Sequence, residues 1–104
     1  MKIVYNKFIP FKGFSAINLF GILFARSGIQ ISKKIINHEL IHTAQMKELY
    51  YVLFYIIYIY YYAMYGYKDN PFEREAYLNQ SNDNYLNERI KFSYKNYFIK
   101  KKTV

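Results

Sequence analysis

The segment His38-Glu39-Leu40-Ile41-His42 constrains this chain most. On an α-helix, residues four apart lie on the same face, so both imidazoles can reach one metal ion. The sequence contains two histidines and no cysteine, so a further protein ligand must be a carboxylate. A fold that uses this motif therefore needs a helix here and an acidic residue that returns to it from another part of the chain.

Zn²⁺ is the cofactor that this pattern predicts. Zinc binds imidazole and carboxylate in four-coordinate sites, and catalytic sites keep one position for water. Glu39 follows the first histidine directly and is placed to take a proton from that water as a general base. The alternative interpretation is a polar helix face that carries two incidental histidines.

The segment Glu73-Arg74-Glu75-Ala76 supplies two candidate carboxylates, Glu73 and Glu75. They point about 160 to 200° apart on a helix, so only one can face the metal. Asn70 and Pro71 are typical of an N-cap and a first helical residue, which places Glu73 in the first turn. There Glu73 has an alternative role, in which it accepts a hydrogen bond from the Asn70 amide in a capping box.

The H-E-x-x-H motif followed by an E-x-x-A pattern resembles the two site helices of the gluzincin metallopeptidases. The resemblance implies that His38, His42 and Glu73 bind zinc and that Glu39 is the general base. Larger gluzincins usually place Asp or Asn after E-x-x-A to support a zinc ligand, whereas this chain has Tyr77. Tyr77 is instead a candidate for polarising a substrate carbonyl. Over nearly its whole length the chain also resembles short proteins of Bacteroidetes-type bacteria, through residues 11–14, 17–21, 37–39 and 72–77.

We expect an α+β fold, in which a small N-terminal β-hairpin or sheet within residues 1–30 packs on a mainly helical, zincin-like body, all in one domain of residues 1–104. Residues 2–5 predict a strand, and residues 9–14 a turn or irregular link. Residues 16–26 predict either one strand bent at Gly21 or a hairpin. A free strand edge beside the site helix would pair with an extended peptide; alternatively, the segment only covers the helix.

Residues 49–67 contain no charged side chain and nine tyrosines. Their length approaches that of a membrane span, but tyrosine prefers the membrane interface. Two helical stripes are predicted. The aliphatic stripe, which we expect to face the core, comprises Leu49, Leu53, Ile56 and Ala63. The tyrosine stripe, which we expect to meet lipid headgroups or another subunit, comprises Tyr51, Tyr55, Tyr58, Tyr62 and Tyr65.

A single straight helix is incompatible with the predicted site. Ser32 is the expected N-cap, and a helix running unbroken from His42 to Tyr65 would carry the chain roughly 35 Å away from the histidines. Glu73 reaches the metal only if the chain bends within residues 46–51 or in the tyrosine-rich run. No glycine or proline marks such a bend before Gly66, where we expect that helix to end.

The C-terminal part predicts a third-ligand helix and a short helix within residues 70–92, the latter over residues 85–92 with Leu86 and Ile90 facing inward. Residues 93–104 form a basic tail, which either frays or contacts an anionic surface.

The formal charge of +8 and the pI near 9.6 suit an anionic membrane surface, nucleic acid or an acidic partner. Apart from residues 100–102 the basic residues are scattered, which makes nucleic acid the least favoured of these partners. Residues 1–7 lack the apolar run of a secretory signal, so we expect a cytoplasmic or membrane-associated protein.

These patterns favour a zinc-dependent peptidase that acts on a peptide or protein substrate. The alternatives are a non-catalytic zinc-binding or membrane-surface protein, and a small membrane-associated protein in which the motif is accidental.

Overall fold

A computed structural model of the chain describes residues 1–8 and 16–99. Its first part is a three-stranded sheet of β1 (Ile3–Asn6), β2 (Ala16–Leu19) and β3 (Ile22–Arg26). The second part contains the helices α1 (Lys33–Glu48), α2 (Val52–Asp69), α3 (Pro71–Asn79) and α4 (Tyr85–Glu88), followed by a 3₁₀ turn at Ser93–Asn96. The predicted α+β class, with a small N-terminal sheet and a helical body, is confirmed.

The sheet is a hairpin with one added strand. β2 and β3 pair antiparallel, and β1 pairs with β3 in parallel, giving the order β1-β3-β2. The hairpin turns at Phe20 and Gly21, whose φ angles of 54° and 86° are the positive values that a type I′ turn requires. Of the two interpretations of residues 16–26, the hairpin is therefore correct. The link predicted at residues 9–14 lies outside the described residues.

Helix α1 begins as predicted. The Ser32 side chain caps it by accepting a hydrogen bond from the Ile35 amide. One face of the helix is buried, and it carries His38, His42 and Gln45 at spacings of four and three. The motif therefore lies on the face of α1 that packs against the rest of the protein.

The chain bends directly after α1, inside the predicted interval of residues 46–51. Tyr50 and Tyr51 have φ angles of 55° and 62°, which helices do not accommodate. The Val52 amide donates to the Tyr50 carbonyl at 2.7 Å, so Tyr51 occupies the centre of a classic γ-turn. Helix α2 then starts in a new direction, which allows α3 to pack on α1.

The predicted orientation of α2 is wrong. Its inner face is aromatic: Phe54 is buried, and the half-buried Tyr58 and Tyr61 pack against the core cluster of Met46, Leu49, Phe54, Phe72 and Tyr94. Leu53 and Ile56, predicted to face the core, are 44% and 60% exposed. The bend interrupts the helical periodicity, so the stripe of α1 does not continue into α2. Tyrosine also packs its ring inside while its hydroxyl finds a polar partner.

The end of α2 and the start of α3 follow the predicted signals closely. Gly66 leaves the helical conformation with φ 81°, and one more turn continues to Asp69. Asn70 then caps α3 by accepting a hydrogen bond from the Phe72 amide, with Pro71 at the first helical position. Among the described residues, no helix has the length and apolarity needed to cross a membrane.

The C-terminal predictions are partly wrong. Helix α4 ends at Glu88, and Ile90 is 76% exposed instead of facing inward. The cause is Arg89, which adopts an extended backbone and directs its guanidinium to two buried carboxylates. Residues 93–99 do not fray, because Tyr94 is buried with its ring 4.5 Å from that of Phe72. Residues 100–104 lie outside the described residues.

Candidate metal centre

Helices α1 and α3 bring His38, His42 and Glu73 together. The Glu73 Oε1 atom lies 3.2 Å from His38 Nε2 and 2.9 Å from His42 Nε2, and the two nitrogens are 3.1 Å apart. All three side chains are buried. They form a group that could hold a metal ion. Ligand atoms around a tetrahedral zinc ion lie roughly 3.3 Å apart, which is close to these separations.

The outer nitrogen of each histidine faces a glutamine oxygen. His38 Nδ1 lies 2.8 Å from Gln80 Oε1, and His42 Nδ1 lies 2.8 Å from Gln45 Oε1. The Gln45 amide group is oriented by its own donors, since its nitrogen bonds the Phe72 carbonyl and Glu75 Oε1. An amide oxygen only accepts hydrogen bonds, so each Nδ1 carries the hydrogen.

This tautomer directs three lone pairs at one point. With the hydrogen on Nδ1, a neutral imidazole presents an unprotonated Nε2, and Glu73 Oε1 is also an acceptor. Three acceptors at about 3 Å repel one another unless a cation lies between them. The donor set of two imidazoles and one carboxylate therefore fits a metal ion, and the glutamines hold both rings in the binding orientation.

Without a metal, a proton takes its place. Burial opposes the charged form of His42, but the Glu73 carboxylate outweighs burial and raises the pKa of His42 to about 9. Burial likewise favours neutral Glu73, yet His42, with hydrogen bonds from both histidines and Tyr58, lowers the pKa of that carboxyl well below its usual range. The metal-free centre is thus a protonated histidine paired with a carboxylate.

The structure distinguishes between the two candidate carboxylates. The second oxygen of Glu73 accepts a 2.6 Å hydrogen bond from the Tyr58 hydroxyl, so both Glu73 oxygens are engaged at the centre. The capping-box role is not seen, because the Asn70 amide donates to the Tyr67 carbonyl. Glu75 points away from the histidines to Arg89, whose guanidinium also binds Glu48.

Glu39 lies beside the three ligands but is more exposed than they are. It lines the same cleft as His38, His42 and Glu73. Burial raises the pKa of its carboxyl, while His42 and His38 act in the opposite direction. Asn18 of β2 bonds the Glu39 carbonyl at 2.9 Å and the Thr43 hydroxyl at 3.0 Å, which holds the hairpin against α1.

The cleft over the centre has a volume of about 550 Å³, within the range of small-molecule and peptide-side-chain sites. The whole of β2 forms one wall, and β2 is one of the two edge strands of the described sheet. Aromatic residues form much of the remaining lining: Phe54, Tyr55, Tyr58 and Tyr67. The Tyr55 hydroxyl reaches the hairpin, where it accepts from the Phe20 amide at 2.9 Å. β2 covers α1, as the simpler interpretation of the hairpin predicts, and it also borders the cleft, whereas pairing with a peptide stays a prediction.

Tyr77 lies behind the centre. Its ring packs edge-on at 4.4 Å from the His38 ring, and its hydroxyl lies 2.8 Å from the Tyr67 hydroxyl. Of the two tyrosines, Tyr67 lines the cleft. Tyr77 therefore supports a ligand and a cleft residue.

Sequence reasoning missed three supporting residues: Gln45, Gln80 and Tyr58. Two of them carry a periodic signal, because Gln45 is three residues after His42 and Gln80 is seven after Glu73, on the same helical faces. Tyr58 carries none, since its contact depends on how α2 turns after the bend.

A scan against known protein-family models finds no matching family, and searches among curated proteins and solved structures find no similar chain.

Proposed function

We propose that this protein is a zinc-dependent peptidase of the gluzincin type, with His38, His42 and Glu73 as zinc ligands and Glu39 as general base. One observation carries the proposal: the three ligands and Glu39 lie together in a cleft of about 550 Å³ bordered by an edge strand. A protein that only stores or senses a metal needs neither the cleft nor a partly exposed carboxylate next to the ligands.

A zinc ion held there would acidify a water molecule and polarise a carbonyl oxygen. Glu39 removes a proton from the attacking water, and its burial-raised pKa makes the carboxylate a better proton acceptor. The protonated Glu39 then passes this proton to the leaving amine nitrogen. Gln45 and Gln80 keep the imidazoles oriented throughout, because each accepts the Nδ1 hydrogen of one histidine.

The shape of the cleft indicates how a peptide would bind. An extended chain would run along β2, whose outer edge pairs with no described strand, and would place one carbonyl over the ligands. It would replace the Tyr55 hydroxyl, which donates a 3.4 Å hydrogen bond to the Asn18 carbonyl of β2. The aromatic lining of the cleft, formed by Phe54, Tyr55 and Tyr58, would take an apolar side chain. We therefore expect cleavage next to large apolar residues.

Metal content tests the ligand set. Protein produced without a histidine tag should bind about one zinc per chain by elemental analysis, and Glu73→Gln should lose most of it. Glu88→Gln is the matched control, because it also removes one negative charge, but from an exposed side chain on α4. Absence of bound metal in the wild type after zinc is added back would overturn the proposal.

Hydrolysis tests the catalytic role. Zinc-loaded wild type should cleave members of a quenched fluorogenic peptide library rich in apolar residues. Glu39→Gln should retain the zinc and lose at least about a hundredfold in rate, as for removal of a general base. Full zinc with no cleavage by the wild type would favour the non-catalytic zinc-binding alternative. Equal cleavage by Glu39→Gln would reject Glu39 as the base.

A further inference from the structure

The outer face of α2 is apolar from Val52 to Met64. We call it the outer stripe; its residues recur at spacings of one and three along the helix and are all exposed: Val52, Leu53, Ile56, Ile59, Tyr60, Ala63 and Met64. Ile59 is 68% exposed and Ile56 60%. The opposite face carries Phe54, Tyr58 and Tyr61, which pack on the core. Helix α2 thus has two apolar faces, only one of which the protein itself covers.

Such a surface points to a partner. Before its break at Gly66, α2 is about 21 Å long, and residues 49–67 carry no charge that would favour water. Soluble monomers rarely expose a continuous apolar patch of this size without using it for binding. A helix that exposes one apolar face along its length has the geometry of helices that lie along a membrane surface.

The distribution of charge indicates which surface. Several acidic side chains are engaged inside the protein: Glu48 and Glu75 by Arg89, and Glu73 by the two histidines. The lysines that the structure describes instead lie outside, and Lys47 and Lys68 are exposed on either side of the outer stripe in the sequence. With a formal charge of +8, the exterior is strongly positive. An anionic lipid surface attracts such an exterior, whereas a second copy of the chain repels it.

We propose that the outer stripe inserts into the interface of an anionic membrane, with α2 parallel to the bilayer plane. Val52, Ile56 and Ile59 enter the boundary between headgroups and acyl chains, and Tyr60 lies at headgroup level, where tyrosine is favoured. The exposed lysines contact lipid phosphates. This docking does not depend on the metal centre, so it is testable whether or not the protein is a peptidase.

Vesicle sedimentation is the first test. Wild type should bind mixed vesicles that contain equal parts of phosphatidylglycerol and phosphatidylcholine, and high salt should release it. Its binding to vesicles of pure phosphatidylcholine should be at least tenfold weaker. Ile56→Glu with Ile59→Glu should reduce binding at least tenfold. Ile90→Glu is the matched control, because Ile90 is 76% exposed but lies outside the outer stripe, and it should bind as wild type does.

A fluorescent reporter gives a second test that does not rely on loss of binding. The sequence contains no tryptophan, so Ile59→Trp and Ile90→Trp each introduce one reporter. Emission from the reporter at position 59 should shift to the blue with the anionic vesicles, while the reporter at position 90 should not respond. Equal responses at both positions, salt-independent binding to pure phosphatidylcholine, or a wild-type dimer that Ile59→Glu dissociates would each overturn the proposal.

Discussion

The Tyr58 hydroxyl donates a 2.6 Å hydrogen bond to Oε2 of Glu73, while Oε1 of the same carboxylate faces His38 and His42. Helix α2 therefore takes part in a candidate centre whose three potential ligands come from α1 and α3. The contact fixes the orientation of Glu73, because a carboxylate held at one oxygen presents the other in a defined direction. Burial, followed by the charge of Glu73, raises the pKa of Tyr58, so its hydroxyl remains a donor at neutral pH.

Tyr58→Phe should weaken zinc binding about 10- to 100-fold, the usual effect of removing a group that orients a metal ligand. Competition with a chromogenic chelator measures the affinity. Tyr62→Phe removes a hydroxyl from an exposed tyrosine of the same helix and should leave the affinity unchanged. If both variants bind zinc equally well, Tyr58 does not position Glu73.

The stability of the metal-free protein should depend on pH in a specific direction. The fold raises the pKa of His42 from about 6.5 to about 9, so the stabilisation from protonated His42 is complete below about pH 6.5 and is lost as the pH rises through about 9. Glu73 acts in the opposite direction: its pKa is lowered, so its contribution is present above about pH 4.5 and is lost as the pH falls. The metal-free protein should therefore be most stable near about pH 5 to 6.5.

Urea denaturation in a chelator measures this dependence. We expect the free energy of unfolding to fall by an amount on the order of 1–3 kcal/mol between about pH 6 and pH 9. His42→Gln should remove most of that decrease. With zinc present the trend should reverse over the same interval, because zinc binds the unprotonated imidazole and competes with the proton. A decrease of the same size in His42→Gln would assign the effect to another group.

Arg89 is expected to dominate stability in the C-terminal half. Its guanidinium binds Glu48 at 2.7 Å and 3.0 Å and also pairs with Glu75, and all three side chains are almost entirely buried. Arg89→Met leaves two buried carboxylates without their cation and should lower the free energy of unfolding by about 3–5 kcal/mol. The control is Lys33→Met, which breaks the exposed pair with Asp83 and should cost less than about 1 kcal/mol.

Local sequence signals were sufficient to predict which three side chains meet at the candidate metal centre. The spacing of His38 and His42 requires only one helical turn, and Asn70 with Pro71 sets the start of α3, which places Glu73 in its first turn. None of these inferences depends on long-range packing. The hairpin turn, in contrast, was open to two interpretations, because a single glycine at position 21 suits a bent strand as well as a type I′ turn.

Features that depend on the relative orientation of helices could not be predicted. Tyr58 reaches Glu73 only because α2 changes direction after α1, and no glycine or proline marks that change. The prediction placed the aliphatic face of α2 inside and the tyrosine face outside, although Leu53 and Ile56 are exposed and Tyr58 packs on the core. Tyrosine is ambiguous in a sequence, because its ring favours burial and its hydroxyl favours water. Arg89 resembles a surface residue in the sequence, and its burial follows from two carboxylates on other helices.

The bend between α1 and α2 leads to a prediction about stability. Tyr50 has a φ angle of 55° and is 83% exposed, so it bears the steric cost of a left-handed conformation with little packing in return. Tyr50→Gly removes that cost of about 1–2 kcal/mol and adds roughly 0.5–1 kcal/mol of chain entropy to the unfolded state. We expect the free energy of unfolding to stay constant or rise by up to about 1.5 kcal/mol.

Tyr60→Gly is the matched control for this prediction. Tyr60 is also an exposed tyrosine, but it lies inside α2, where glycine should lower the free energy of unfolding by about 1 kcal/mol. Urea denaturation of both zinc-free variants at one pH compares them directly. If α1 and α2 instead formed one continuous helix, the two substitutions would destabilise the protein alike, and Glu73 could not reach the histidines.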